Sequence, residues 1–150
     1  GLCTTFKIYI PTAEATAAPQ PTADAAITGR GEKILLVDDE ESILKLGSLM
    51  LEKLGFTVSA HTSPQAALQA FKADPAAFAL VITDYAMPGM TGAQLARAVL
   101  GIRPGMPIIV ASGFAYEISE SWLKDSGIAT FVEKPFNRNS LCQAIGKCLN

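Results

Sequence analysis

From Lys33 onward, short apolar runs and segments of helical period take turns along the chain. Lys33–Val37 (KILLV) is an apolar run that ends at Asp38-Asp39. Glu41–Leu54 sets Ile43, Leu46, Met50 and Leu54 at a helical period and is stopped by Gly55. Phe56–Ala60 predicts a second strand. Ser63-Pro64, a capping residue followed by proline at the first helical position, opens a helix to about Lys72. Ala79–Thr83 predicts a third strand, ending at Asp84. Tyr85–Met90 is a loop, and Thr91 caps a helix to about Leu100. Pro107–Val110 is a fourth strand, followed by Ala111-Ser112-Gly113. A weaker helical pattern covers about Tyr116–Ser126. Ile128–Val132 is a fifth strand, followed by Glu133-Lys134-Pro135, and Asn137 caps a last helix to about Cys148. Five strand–helix pairs predict an α/β fold, a doubly wound parallel sheet with helices on both faces. The near-continuous apolar runs are those of strands buried on both sides.

Upstream, the pattern changes twice. Residues 4–10 (TTFKIYI) alternate, with Phe6, Ile8 and Ile10 on one face, and predict a short strand. Residues 11–30 are rich in Pro, Ala and Thr, with Ile27 the one large apolar residue, and read as a flexible linker. The expected organisation is therefore a short remnant over 1–11, a linker over 12–30 and a folded domain over 31–150. The start, Gly1-Leu2-Cys3, has no Met and no basic segment leading into an apolar one. It reads as a piece of a longer chain rather than a signal peptide.

Composition narrows the picture. The 150 residues carry 12 Lys+Arg and 14 Asp+Glu, a formal net charge of −2. A nucleic-acid surface needs a basic excess, so that partner is not expected. No run reaches the ~20 apolar residues of a membrane span. The 3 cysteines are scattered over Cys3, Cys142 and Cys148. That is no disulfide framework or zinc site, and it suits a reducing compartment. Cys142 and Cys148 are six positions apart on one helix, point different ways and read as packing residues.

The chemistry lies at the strand ends. Asp38 and Asp39 follow the first strand, Asp84 ends the third, Ser112 the fourth and Lys134 the fifth. In a doubly wound sheet these ends share one edge, where ligands bind near a switch in strand order. Three crowded carboxylates need a cation; two unit charges ~4 Å apart cost about 4 kcal/mol at an effective dielectric of ~20. An all-oxygen donor set selects a hard ion such as Mg²⁺. A metal, an ammonium and a free carboxylate suit phosphoryl transfer to that carboxylate, with Ser112 donating to a phosphoryl oxygen.

These motifs carry a resemblance. LLVDDE, ITDYAMPGMTG, ASG and EKPF, in this order and spacing, resemble the receiver domain of response regulators and hybrid histidine kinases. The resemblance implies a flavodoxin-like sheet in the order 2-1-3-4-5. It implies Asp84 as phosphoacceptor, and Mg²⁺ on Asp39, Asp84 and the carbonyl of Ala86, with Asp38 in the outer shell. It also implies Lys134 on the phosphoryl group, a cis Lys134-Pro135 bond and Phe131 as aromatic switch residue. The implied partner is the phosphohistidine of a kinase domain or of a histidine phosphotransfer protein, and a second copy of the chain is a further candidate. The implied location is cytoplasmic, with membrane anchoring of a parent chain left open. Residues 1–11 (GLCTTFKIYIP) resemble the last strand of a histidine kinase ATP-binding domain, G-x-G-T-T-F-x-I-Y-L-P, with Cys3 in place of its second Gly. This chain would then be the C-terminal receiver of a hybrid sensor kinase, and the one reaction expected of it is its own aspartyl phosphorylation.

Other readings stand beside this one. A receiver that only binds proteins is argued against by the full set of acidic and Lys positions. An Asp-nucleophile phosphatase would place a second Asp where Ala86 stands. A flavodoxin-type cofactor binder would follow its first strand with Gly and Ser/Thr rather than acids. His61, the single histidine, reads as a surface loop residue past the second strand. Phe131, Trp122, Met87 and Met90 read first as packing.

Overall fold

The computed structural model describes residues 27–149 except 115 and 117. The predicted strand over 4–10, Cys3 and the linker up to residue 26 lie outside the described residues. Five strands alternate with five helices: β1 Lys33–Val37, α1 Glu41–Lys53, β2 Thr57–His61, α2 Pro64–Ala73, β3 Phe78–Asp84, α3 Gly92–Ile102, β4 Ile108–Ser112, α4 Glu120–Ser126, β5 Thr130–Glu133 and α5 Arg138–Leu149. A single turn of 3₁₀ helix, Pro75–Ala77, leads into β3. All neighbouring strands pair in parallel, in the order β2-β1-β3-β4-β5.

The apolar runs divide by period two between two cores. Ile34, Leu36 and Ile82 face one way, against Leu44, Leu51, Leu141 and Ile145 of α1 and α5. Leu35, Val37, Val81, Ile108 and Val110 face the other, against Phe71, Leu95 and Val99 of α2 and α3. Ile118, Trp122, Leu123 and Ile128 bring α4 and its flanks to this second core. Both faces of the sheet are therefore covered, which is what continuous apolar strands require.

Helix starts follow the expected chemistry. Ser63 Oγ accepts from the Ala66 N–H at 3.3 Å. Thr91 and Gln94 form a reciprocal capping box. Asn137 Oδ1 accepts from the Ser140 N–H at 2.9 Å. The Lys134-Pro135 bond is cis.

Several boundaries differ from the sequence reading, each for a local reason. The Phe56 N–H is taken by the Leu51 carbonyl at 3.1 Å, so Phe56 closes α1 and β2 begins at Thr57. β2 then runs on to His61, paired with Val37, so His61 is a half-buried strand residue and not a loop residue. The Ile128 N–H closes α4 on the Leu123 carbonyl at 3.0 Å, which delays β5 to Thr130. Ser119 caps α4 and starts it at Glu120, later than the weak pattern suggested. The buried seam of α1 is Leu44, Gly47 and Leu51, one position over from the expected Ile43, Leu46 and Met50, while Leu54 is buried as expected; Ile43 and Met50 are partly buried and Leu46 is 41% exposed. Gly47 sets this rotation. A Cβ there would lie 3.1 Å from Leu36 and 3.2 Å from Phe136, so the helix rests on the sheet through its missing side chain. Cys142 is buried and Cys148 half-buried, and both pack against the α1/α5 core. At the other end, Ile27 packs on that core and the Gly29 N–H donates to the Leu54 carbonyl at 2.6 Å. Contacts with the domain thus begin before residue 31.

Gly92 is a second place where a side chain does not fit. A Cβ on it would lie 2.3 Å from the Asp84 carbonyl oxygen, whereas one on Gly101, in the same helix, would meet nothing within 4 Å. Gly92→Ala is expected to lower stability by about 1–3 kcal/mol, the usual range for forced overpacking. Gly101→Ala is expected to be neutral or to raise it by about 0.5–1 kcal/mol through helix propensity. Urea denaturation of the two variants checks both signs.

Candidate phosphoryl-transfer site

The strand register builds the site. Val37 is level with Thr83, Asp84 with Ala111, and Ser112 with Glu133. The C-terminal ends of β1, β3, β4 and β5 therefore come together, and Asp38, Asp84, Ser112 and Lys134 stand at them. Asp84 is 7% exposed, Asp38 3% and Ser112 2%, while Asp39 is exposed at the rim. Carboxylate oxygens of Asp38, Asp39 and Asp84 all lie within 4.8 Å of one another.

Lys134 reaches into this cluster. Its Nζ donates to Asp38 Oδ2 at 2.9 Å and to Asp84 Oδ1 at 3.1 Å. Asp38 is held from its other oxygen as well: Oδ1 accepts from the Glu40 N–H at 2.8 Å, which fixes the turn from β1 into α1. The Lys134 N–H donates to the Ser112 carbonyl at 2.8 Å, so the lysine's own backbone is tied to the end of β4.

The electrostatics follow from this packing. Burial and the nearby Asp38 push the Asp84 carboxyl up to about 6; Lys134 opposes them and Asp39 adds to them. Burial disfavours the Lys134 ammonium, but its hydrogen bonds to Asp38 and Asp84 overcome that and raise its pKa above the ordinary lysine value. Against three carboxylates stands one ammonium within hydrogen-bond reach of two of them. The donor set is oxygen throughout, two carboxylates are nearly buried and one is open to water. Those features fit a hard divalent cation that keeps part of its hydration shell.

A cavity of about 390 Å³ opens beside Asp84 and is bounded by Ala86, Ser112, Phe114 and Lys134. Ser112 Oγ accepts from the Phe114 N–H at 3.0 Å, which leaves its own proton to donate. Of the expected site residues, Asp38, Asp39, Asp84 and Lys134 form one contact cluster, and Ala86 and Ser112 line the same cavity. Phe131 stands apart. It is half-buried on β5, level with Val110, and packs on the α2/α3 core.

Two further residues belong to the surroundings. Tyr85 follows Asp84 directly, and its ring meets Trp122 of α4 edge-on, with centroids 5.4 Å apart. Phe114 forms part of the cavity wall. Adjacency to Asp84 was the available signal for Tyr85, and a place two residues past Ser112 for Phe114; their ring directions depend on the fold.

No helix among the described residues is long and apolar enough to cross a membrane. The family model described as the response regulator receiver domain matches residues 34–146. The chain is 35% identical over 111 residues to the C4-dicarboxylate transport transcriptional regulatory protein DctD of Rhizobium meliloti (strain 1021), covering 74% of this chain and 24% of that protein. It is 27% identical over 158 residues to the sensor kinase CckA of Brucella abortus (strain 2308), covering 99% of this chain and 17% of that protein. The chain thus spans a quarter or less of the length of these relatives. A response regulator receiver domain protein from Clostridium thermocellum, seen in a crystal structure, superposes with a TM-score of 0.73 at 30% identity, over 79% of this chain and 94% of that one. With its matching sheet order and its acidic cluster closed by a lysine, the chain belongs to the response regulator receiver domain family, the phosphoacceptor modules of two-component signalling.

Proposed function

We propose that Asp84 takes a phosphoryl group from a phosphohistidine and that the resulting change of surface switches partner binding. The observation that carries this reading is the placement of Asp84: nearly buried at the end of the central strand, 3.1 Å from an ammonium and within one acidic cluster. Asp39, Asp84 and the Ala86 carbonyl would hold Mg²⁺, with Asp38 behind them. When bound, the ion offsets charge on the acidic cluster and on the phosphoryl oxygens. Lys134 does the same from the protein side and orients the Asp84 carboxylate. Ser112 donates its hydroxyl proton to a phosphoryl oxygen. Its movement toward that oxygen frees space for Phe131 to turn inward, which alters the surface of α4, β5 and α5.

The surrounding protein is proposed to be a hybrid sensor kinase. The motif over residues 1–11 and the alignment with CckA along 99% of the chain support that context. In it, residues 12–30 link the kinase domain to the receiver, and the donor is that kinase's phosphohistidine or a separate phosphotransfer protein.

Incubation with Mg²⁺ and acetyl phosphate is expected to add one phosphoryl group by intact mass, absent from Asp84→Asn. Labelling that survives this substitution would remove the assignment. Neither Ala86 nor Phe114, each two residues past a reacting side chain, has a group to orient an attacking water. The phosphorylated form is therefore expected to last minutes or longer after donor removal, and decay within seconds would contradict it.

The raised Asp84 pKa makes a stability prediction for the metal-free protein. A carboxyl that titrates near 6 when folded, against an ordinary value of about 3.9, binds its proton more tightly in the native state. Its favourable contribution is complete below about pH 4 and is lost as pH rises through 6. Two pH units correspond to nearly 3 kcal/mol, which contact with water reduces to about 1–2 kcal/mol. In EDTA at pH 7.5, Asp84→Asn is expected to melt about 3–8 °C above wild type, with the gap closing as pH falls toward 4. Thermal melts across that range check the sign, and Mg²⁺ is expected to raise the wild-type midpoint more than that of the variant.

A further inference from the structure

Phe114 is 57% exposed and Tyr116 is 83% exposed. Rings of this size normally go to a core, because each buries about 150–250 Å² of surface. These two pack on each other instead, edge to face, with centroids 5.9 Å apart at 74°. The hydrogen bond from the Phe114 N–H to Ser112 Oγ, at 3.0 Å, ties the Phe114 backbone to the end of β4. Phe114 is thus an aromatic wall of the cavity that Asp84, Tyr85, Ala86, Ser112, Gly113 and Lys134 also line.

The reaction geometry gives such a wall a use. Attacking and leaving atoms lie roughly in line across phosphorus. An Asp84 carboxylate oxygen forms the new O–P bond while the P–N bond to the donor imidazole breaks. The electron pair of that bond goes to the ring nitrogen. With a proton already on its second nitrogen, the donor ring enters positively charged and departs as neutral imidazole. Asp84 forms the cavity floor at 7% exposure, so the departing ring lies outward, at the mouth. We propose that Phe114, braced by Tyr116, packs against the donor's imidazole ring and so selects phosphohistidine over phosphodonors without a ring. A ring face beside a flat cation gains both aromatic and cation–π attraction. This rests on Asp84 being the phosphoacceptor. Phe114 touches the donor directly; Tyr116 is a positioning residue.

Two small donors test it, N-phosphoimidazole and acetyl phosphate, at one Mg²⁺ concentration. Intact mass gives a second-order rate constant for each, and the ratio of the two is the readout. In Phe114→Ala the ratio is expected to fall by about three- to tenfold. Phe114→Leu, which keeps apolar bulk without a ring, is expected to fall similarly, and Phe114→Trp to stay within about twofold of wild type. Tyr116→Ala is expected to lower the ratio less, and to add nothing once Phe114 is Ala. Melting curves verify that each variant is folded. An unchanged ratio in both Phe114→Ala and Phe114→Leu overturns the proposal, as does a wild type labelled by acetyl phosphate but not by N-phosphoimidazole. If neither donor labels Asp84 in the wild type, the phosphoacceptor reading itself falls, and this inference with it.

Discussion

Asp38, Asp39 and Asp84 bring carboxylate oxygens within 4.8 Å of one another, and the ammonium of Lys134 is bonded to two of the three. At such separations like charges repel by about 4 kcal/mol per pair at an effective dielectric of ~20. A protein tolerates this only if the charges are held by groups that do not move. Here the holders are backbone groups. The Glu40 N–H grips Asp38, the Asp38 N–H donates to the His61 carbonyl at 3.2 Å, and the Lys134 N–H is bound by the Ser112 carbonyl. Asp84 is itself a strand residue, level with Ala111. The charged groups are therefore fixed by the register of the sheet more than by their own attractions. Loss of that register would separate them.

The register depends in turn on two-sided burial. Because side chains alternate along a strand, a slip of one residue would exchange Ile34 and Leu36 with Leu35 and Val37. Both sets are apolar, so alternation alone would not forbid the slip. The shapes of the two helical layers do. Gly47 lets α1 approach Leu36 and Phe136 closely, and Gly92 lets α3 start against the Asp84 carbonyl. These contacts hold β1 and the end of β3 in place against their helices. The same Gly92 contact sets the start of α3 against the backbone of Asp84, which lines the cavity, so fold and site share a constraint there.

The sequence made the charged part of the site readable and left the aromatic part open, and the reason is physical. Asp38, Asp84, Ser112 and Lys134 each follow an apolar run, and parallel topology forces such positions to one edge, whatever the details of packing. Strand and helix existence was legible on the same ground. Element ends were not, where a backbone N–H had two competing acceptors: Phe56 and Ile128 bond back to a helix rather than across the sheet. The seam of α1 was misplaced because a hydrophobic count ranks Leu46 above Gly47, whereas close packing ranks them the other way. Ring directions of Tyr85, Phe114 and Tyr116 follow from loop conformation, which carries no periodic signal.

The charge imbalance and the open cavity are two aspects of one arrangement. A site satisfied within the protein would have nothing to gain from a cation or a phosphoryl group. Here burial and Asp38 hold the Asp84 carboxyl near 6, so at neutral pH the site carries an unfavourable ionisation that the fold sustains elsewhere. A divalent cation held there would relieve it, which would link metal binding to stability through Asp84. On the proposed reading, a phosphoryl group on Asp84 would add negative charge for the cation and Lys134 to offset. The cavity walls would have to accept that larger group, and Ser112 and Phe114 form the wall least constrained by charge. In the proposed switch, movement would be directed toward the β4 end and α4, whose seven residues include none that are buried, and away from the doubly anchored Asp38 turn. The proposed switch would thus set its chemistry on the anchored Asp38 side of the site and report it through the side toward α4.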